Sequence, residues 1–256
     1  MVVVGRSPEK TAAVAAGLPG ARGLTADFAR LDDVRSLAAE LAGLPRIDVL
    51  VNNAGASFGR RALTPDGYER TFQVDHLAPY LLTRLLEGPL RSARGRVVTT
   101  SSSAHWVGGV RRGRLAAVAE GRGPYLATRA YARAKWANVV LTRELHRRWA
   151  PEVTATCFDP GAVATSFAQE SGGLLGLAFR SPLTAFLRTP AQGADSLVWL
   201  AVEDGGWRSG SHHADRGRTL ALPSTASRAL SSPSSGDDVR ARELWEVSAE
   251  LVGLPA

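Results

Sequence analysis

Apolar positions along the chain fall into two recurring patterns. Short runs of consecutive β-branched and aliphatic residues alternate with longer stretches in which apolar residues recur three and four apart. Met1–Gly5 (MVVVG), Ile47–Asn52 (IDVLVN), Arg96–Ser101 (RVVTTS) and Val153–Phe158 (VTATCF) belong to the first kind, with a weaker run at Arg22–Asp27. Continuous apolar runs of this length predict strands buried on both faces. Ala12–Ala16, Asp32–Ala42, Pro65–Leu90, Tyr131–Trp149, Pro190–Val202 and Asp237–Val252 carry helical periodicity, and Pro79 is expected to break the third of these. Gly-Arg-Ser-Pro after the first strand reads as a helix start, and Leu18-Pro19-Gly20 as its end.

Strands alternating with helices predict an α/β fold, a Rossmann-like, doubly wound parallel sheet with helices on both faces. No repeat or interdomain linker interrupts the alternation, so residues 1–256 read as a single domain. Two stretches depart from the rhythm. Arg111–Pro124 is irregular, and Leu220–Ser235, rich in Ser, Pro and Ala, reads as a loop.

Composition narrows the function classes. The formal charge of +7 is spread over short pairs such as Arg60-Arg61 and Arg147-Arg148 rather than gathered into a stripe, which argues against a nucleic-acid partner. The single cysteine, Cys157, excludes an internal disulfide and fits a reducing compartment. No stretch approaches the roughly 20 apolar residues that span a bilayer. The N-terminus lacks a signal-peptide layout, so a cytoplasmic location is expected. Lys10 and Lys135 are the two lysines among 31 basic residues. Against that arginine bias, a lysine at a chemically useful position stands out.

Lys135 occupies such a position. Tyr131 and Lys135 (YARAK) are four residues apart and project from one face of a helix. A phenol titrates near 10 unaided, and a neighbouring ammonium stabilises the phenolate and lowers that value. Upstream, VVTTSSS runs a buried strand into a serine cluster, and the carboxyl ends of strands are where a doubly wound sheet binds ligands. Ser102 is placed there to hold a substrate oxygen, while Ser101 and Ser103 read equally as helix caps. Asn52-Asn53-Ala54-Gly55 ends the strongest strand, with small residues that admit a ligand close to the backbone. Asp159-Pro160-Gly161, followed by Val163 and Thr165, offers backbone groups and a hydroxyl at another strand end.

NNAG, the strand-end serine, YxxxK and the PG-x-V-x-T element, in this order and spacing, resemble the short-chain dehydrogenase/reductase family over the whole chain. The similarity is greatest to its retinol-dehydrogenase-like and WW-domain-oxidoreductase-like branch, through Ser102-Ser103-Ala104-His105, Lys135-Trp136-Ala137-Asn138-Val139, Thr142-Arg143-Glu144-Leu145 and Glu243-Leu244-Trp245. The resemblance implies that Tyr131 is the general acid/base, Lys135 its electrostatic partner and ribose anchor, and Ser102 the oxygen-positioning hydroxyl. It also implies a cofactor site at Arg6, Asp27, Asn52, Asn53, Ala54, Gly55, Tyr131, Lys135, Pro160, Gly161, Val163 and Thr165. Asp27 would accept from the adenine amino group. Arg6, just past the first strand, would hold the 2′-phosphate of NADP, for which a guanidinium is suited. The implied activity is NADP(H)-dependent hydride transfer to or from a lipophilic carbonyl or alcohol, in a possible homo-oligomer. The apolar stretch Gly172–Leu187 lies where the family places its substrate-covering segment.

Two departures from the family pattern qualify this expectation. Asp75 stands where the family has an asparagine. Its backbone carbonyl is retained, its side chain can still brace a strand as an acceptor, and its charge would raise the pKa of Lys135. The family's opening strand and T-G-x-x-x-G-x-G turn are not in the sequence, roughly 30 residues of the first βα unit. Met1–Gly5 aligns with the family's second strand. Either Met1–Gly5 and Ile47–Asn52 close up, or the sheet carries a gap with unpaired backbone groups. A start codon assigned too far downstream would account for the absence. The alternative is a non-catalytic protein of the same fold with impaired cofactor binding. His76 and His105 read as packing or hydrogen-bonding residues, and His212-His213 has no further ligands nearby, so no metal is expected.

Overall fold

The computed structural model describes residues 1–163, 188–214 and 237–256. Thr165, the Gly172–Leu187 stretch and the Leu220–Ser235 loop lie outside them. Strands β1 (Val2–Gly5), β2 (Arg22–Thr25), β3 (Val49–Asn52), β4 (Arg96–Thr100), β5 (Thr154–Asp159) and β6 (His212–Ala214) are all parallel. Between them run helices α1 (Pro8–Ala16), α2 (Leu31–Ala42), α3 (Arg70–Phe72), α4 (Ala78–Leu85), α5 (Glu87–Ala93), α6 (Leu115–Ala119), α7 (Ala127–Trp149), α8 (Pro190–Val202) and α9 (Asp238–Leu251).

Local sequence accounts for several boundaries. Ser7 caps α1 by accepting from the Lys10 N–H, with Pro8 in the first turn. Thr189 and Gln192 form a reciprocal capping box on α8, and Asp237 accepts from Val239 and Arg240 at the start of α9. The expected helix over Pro65–Leu90 is shorter and more broken than its periodicity suggests. It starts at Arg70 after a turn through Gly67, at φ +88°, and passes through a π-helical turn over Gln73–Leu77 before α4. Pro79 lies just beyond that π turn and has no N–H to give the carbonyl four residues earlier, that of Asp75. The helix of Tyr131–Trp149 begins one turn earlier, at Ala127. From Ala134 to Thr142 every residue of α7 is buried, so its middle is enclosed on all sides rather than amphipathic. β6 was not expected from its short sequence.

The two faces of the four-stranded sheet bury different clusters. Val97 and Ala155 join Trp136, Val140 and Leu141 of α7, whereas Val98 and Phe158 pack with Leu200 of α8. Sequence alternation thus places helices on both faces. The sheet is divided, however. β1 pairs with β2 alone, and β3–β4–β5–β6 form a separate ladder. Of the two arrangements open to the sequence, the gap is the one adopted. Val4 and Val51 are each 38% exposed, where the middle strand of an undivided parallel sheet would be covered. Core residues nevertheless run continuously from Val34 and Leu37 of α2 through Leu50 to α4, α7 and α9.

Candidate functional site

The register of the larger ladder brings the strand ends together. Asn52 stands opposite Thr99, and Thr100 opposite Phe158, so the segments following β3, β4 and β5 leave from the same edge. Three side chains tie them to one another and to α7. The Thr100 hydroxyl donates to Asn53 Oδ1 at 2.9 Å, Ser101 Oγ to the Lys135 carbonyl at 3.0 Å, and the Ser103 N–H to Asp159 Oδ2 at 2.6 Å. Of the two serines read as possible caps, neither is the cap found. Ser102 caps the 3₁₀ turn Ser103–Val107 through the Ala104 N–H, at 3.2 Å.

Ser102, Tyr131 and Lys135 meet at this edge. The Ser102 side chain favours the ionised form of the Tyr131 phenol, and Lys135 Nζ lies 5.4 Å from the centre of the tyrosine ring. The two elements are held in close contact: at Gly108, the end of the 3₁₀ turn, a Cβ would sit 1.9 Å from the Ala132 carbonyl oxygen of α7. Burial pushes the Tyr131 phenol above its ordinary range. The Lys135 ammonium and the Ser102 hydroxyl pull it down, and the Asp75 and Asp159 carboxylates push it up. The lysine's expected downward pull is therefore present but does not prevail.

Asp75 sits in the π turn, buried beside Lys135. Its Oδ2 is 3.4 Å from Lys135 Nζ, and its Oδ1 accepts from the Ala56 N–H at 2.7 Å. Burial raises the aspartate's pKa despite the lysine's attraction. For Lys135, burial works against the ammonium, but Asp75, Tyr131 and Asp159 outweigh it and leave its pKa raised. Gly55 closes over this pair, where a Cβ would come within 3.2 Å of both Asp75 Oδ1 and Lys135 Nζ.

Asn138 was not singled out as a site residue by sequence reasoning. It follows Tyr131 and Lys135 at the spacing i, i+4, i+7, on the same stripe of α7. Its Nδ2 donates to the Asp75 carbonyl at 3.0 Å and lies 3.3 Å from that of Thr100, to which Lys135 Nζ also donates at 3.3 Å. The Asp75 carbonyl, which Pro79 cannot serve, thus already has a side-chain donor. Pro79 four residues after Asp75 was the signal for it. Asp159 is the second such residue, joining the Ser103 turn to the Gly161 N–H at 2.9 Å.

The remaining expected positions divide into groups. Asn52 is buried; its Nδ2 donates to Thr83 Oγ1 at 2.9 Å, and its Oδ1 has no partner among the described residues. Asn53 and Ala54 are exposed. Pro160 accepts from Arg188 Nη1 at 3.0 Å, Gly161 turns the chain at φ +75°, and Val163 bridges to Arg188 while packing against Gly193. Arg6 and Asp27 leave the carboxyl end of the other ladder, where Gly5 stands opposite Thr25. Arg6 is exposed and makes no hydrogen bond or ion pair with the described residues. Asp27 accepts from the Ala29 N–H at 3.0 Å through Oδ1.

These residues fit a nicotinamide dinucleotide in part. The small, exposed Asn53-Ala54 turn, the unpartnered Asn52 oxygen and the unpaired Arg6 guanidinium are open to a ligand at the strand ends. The described residues contain no glycine-rich turn between β1 and β3 to cradle a diphosphate.

Comparison with known proteins gives concordant results. The profile of the short chain dehydrogenase family matches residues 1–117. The chain is 39% identical over 261 residues to a Streptomyces sp. (strain C5) protein named as daunorubicin C-13 ketoreductase DnrU, an alignment covering 99% of this chain and 84% of that one. It is 35% identical over 237 residues to retinol dehydrogenase 14 of Homo sapiens, covering 89% of this chain and 66% of the relative. The chain therefore spans about two thirds of that relative's length. The crystal structure of an uncharacterised protein from Mycobacterium Paratuberculosis superimposes with a TM-score of 0.74 at 28% identity, over 100% of this chain and 85% of the other. Among the described residues no helix is long and apolar enough to cross a membrane.

Proposed function

Because the chain belongs to the short-chain dehydrogenase/reductase family, whose members are oxidoreductases that use nicotinamide cofactors, we propose that it interconverts a lipophilic carbonyl and its alcohol with NADP(H). The observation that carries this reading is Tyr131 set between Ser102 and Lys135, whose Nζ lies beside the tyrosine ring, at the carboxyl edge of the sheet. The names of the relatives, a ketoreductase and retinol dehydrogenases, support a lipophilic substrate.

Each residue has a distinct part. The Ser102 hydroxyl holds the substrate oxygen within reach of Tyr131. In reduction the Tyr131 phenol donates its proton to that oxygen, and in oxidation the phenolate takes it back. Lys135 stabilises the phenolate, and Asp75 keeps Lys135 charged and in place. Nicotinamide, when bound, supplies or accepts the hydride. Arg6 would hold its 2′-phosphate and Asp27 its adenine amino group, with Asn52 to Gly55 and Pro160 to Val163 lining the route between.

A further parallel strand carrying a glycine-rich turn would have an edge of β1 and an edge of β3 to pair with. Among the described residues β1 and β3 each keep one edge unpaired, and such a strand would cover Val4 and Val51.

Turnover of a panel of lipophilic ketones, aldehydes and alcohols with NADPH and NADH tests the reading, using this chain and a version extended at its N-terminus by such a strand and turn. The expected result is NADPH-dependent turnover, strongest in the extended form and lost on Tyr131→Phe with circular dichroism unchanged. Absence of cofactor binding by both forms would overturn it in favour of a non-catalytic role.

A further inference from the structure

The 3₁₀ turn that Ser102 caps contains a buried imidazole, that of His105. His105 is fully buried, and its Nδ1 lies 2.6 Å from the Ser102 carbonyl oxygen. A carbonyl only accepts, so the proton of His105 is on Nδ1, and that N–H donates. The His105 backbone N–H donates to the same oxygen at 3.0 Å. The Ser102 carbonyl therefore has both lone pairs engaged by a single residue, which fixes the peptide plane that follows the Ser102 hydroxyl. The ring is walled by His212 of β6, its centroid 4.6 Å away. The Nε2 atoms of His105 and His212 are both buried without partners among the described residues.

Packing alone does not account for this imidazole. A phenyl ring would fill the space without leaving a buried nitrogen unsatisfied, which is unfavourable. What the imidazole adds is one donor, directed at Ser102. We propose that His105 is a positioning residue that, through the Ser102 carbonyl, holds the Ser102 hydroxyl oriented toward Tyr131. The inference rests on the reading of Ser102 and Tyr131 as partners in the reaction.

Removing the side-chain donor leaves the His105 backbone N–H as the carbonyl's one partner, so the Ser102 peptide tilts and the hydroxyl turns away from the phenol. The groups that face Tyr131 otherwise, Lys135 on its own helix, Asp75 in the π turn and Asp159 after β5, stay unchanged. The phenol then loses the support that Ser102 gives its ionised form, and its pKa rises.

The test is ultraviolet difference titration of the Tyr131 phenol, each background measured against the same background carrying Tyr131→Phe. His105→Phe keeps the ring and removes the donor; its Tyr131 midpoint is expected to rise by about half a unit or more. His105→Asn places an amide N–H where Nδ1 stands and is expected to titrate as the wild type. Ser102→Ala should show the same rise as His105→Phe, with no further rise in the double variant. Where turnover is measured, His105→Phe should lose about tenfold to a hundredfold in kcat with cofactor KM unchanged. A wild-type midpoint in His105→Phe alongside a shifted Ser102→Ala overturns the positioning role and leaves the reading intact. An unshifted Ser102→Ala overturns the reading itself. The unaltered protein gives a check that needs no folded variant: nitrogen-15 NMR should find the His105 proton on Nδ1, and a proton on Nε2 instead overturns the inference.

Discussion

Asp75 Oδ2 lies 3.4 Å from Lys135 Nζ, and the two side chains are almost wholly withdrawn from solvent. A buried ion pair of this kind fixes the charge on the lysine while placing a second, opposing charge near the tyrosine that the lysine serves. Replacing Asp75 by asparagine separates those effects. The amide keeps an oxygen for the Ala56 N–H, and Lys135 keeps the Thr100 carbonyl. Tyr131 and Asp159 still favour the ammonium. The loss of stability is therefore expected to fall below the about 3–5 kcal/mol of a fully stranded buried charge. Without the carboxylate the Tyr131 pKa falls, because Asp75 raises it. Alcohol oxidation needs the phenolate, so its rate climbs as pH rises through that pKa, and in Asp75→Asn the climb should move to lower pH. A pH–rate profile for both proteins checks this; a shift to higher pH would mean that Lys135 had lost its proton.

The part of this site that was legible in the sequence is the part set by local spacing. Tyr131 and Lys135 share a face because helices repeat every 3.6 residues, and Ser102 reaches the edge because a buried strand ends just before it. The contacts joining separate elements were less accessible. Nothing local in Asn138 says that its amide spans the Asp75 and Thr100 carbonyls, although Pro79 announced that one carbonyl needed another donor. The division of the sheet was foreseen as one of two outcomes, since pairing between β1 and β3 depends on whether their helices allow them to approach. The full enclosure of α7 was hidden because its small residues, Ala134 and Ala137, carry little hydrophobic signal while packing fully.

Gly108 sets the distance between the Ser102 turn and the helix of Tyr131. A methyl group there would lie 1.9 Å from a backbone oxygen, which cannot retreat as a flexible side chain could. Gly108→Ala should therefore displace the turn, lowering stability by about 1–3 kcal/mol as overpacking does. It should also reduce turnover by more than the fraction unfolded explains. Denaturant unfolding and kcat measured on the same preparation distinguish this from an innocuous change; wild-type values for both would show that the turn has room to move.

Buried histidines make the fold sensitive to acid. Burial holds His76 at about 4, and His212, buried and repelled by His105 and His213, at about 3. Both lie below the unfolded value, so the stability they contribute is complete above pH 6.5 and is lost as pH falls toward the folded values. For His76 the interval corresponds to about 3 kcal/mol. His212→Phe keeps a ring against His105 and removes an unpartnered nitrogen. Its melting temperature should equal or exceed that of the wild type at pH 7 and decline less steeply below pH 6. Identical slopes would mean that His212 takes up a proton in the folded protein.

Arg6 offers the sharpest separation between the two nicotinamide cofactors. Its guanidinium is exposed at the end of β1 and forms no ion pair with the described residues, so it carries no structural duty that its removal would disturb. Arg6→Ala should leave the unfolding free energy within about 0.5 kcal/mol of the wild type, as surface substitutions do. A charge-assisted bond to a phosphate is worth about 1.5–3 kcal/mol, or about ten- to 150-fold in affinity. NADPH binding should weaken by that factor while NADH binding, which lacks the 2′-phosphate, stays unchanged. Arg6→Lys retains the charge without the planar fork and should fall between the two. Calorimetry on the three proteins, in the N-terminally extended form if only that form binds, decides the matter. Equal weakening for both cofactors would place Arg6 on a part that they share, and no weakening for either would remove the basis for preferring NADP.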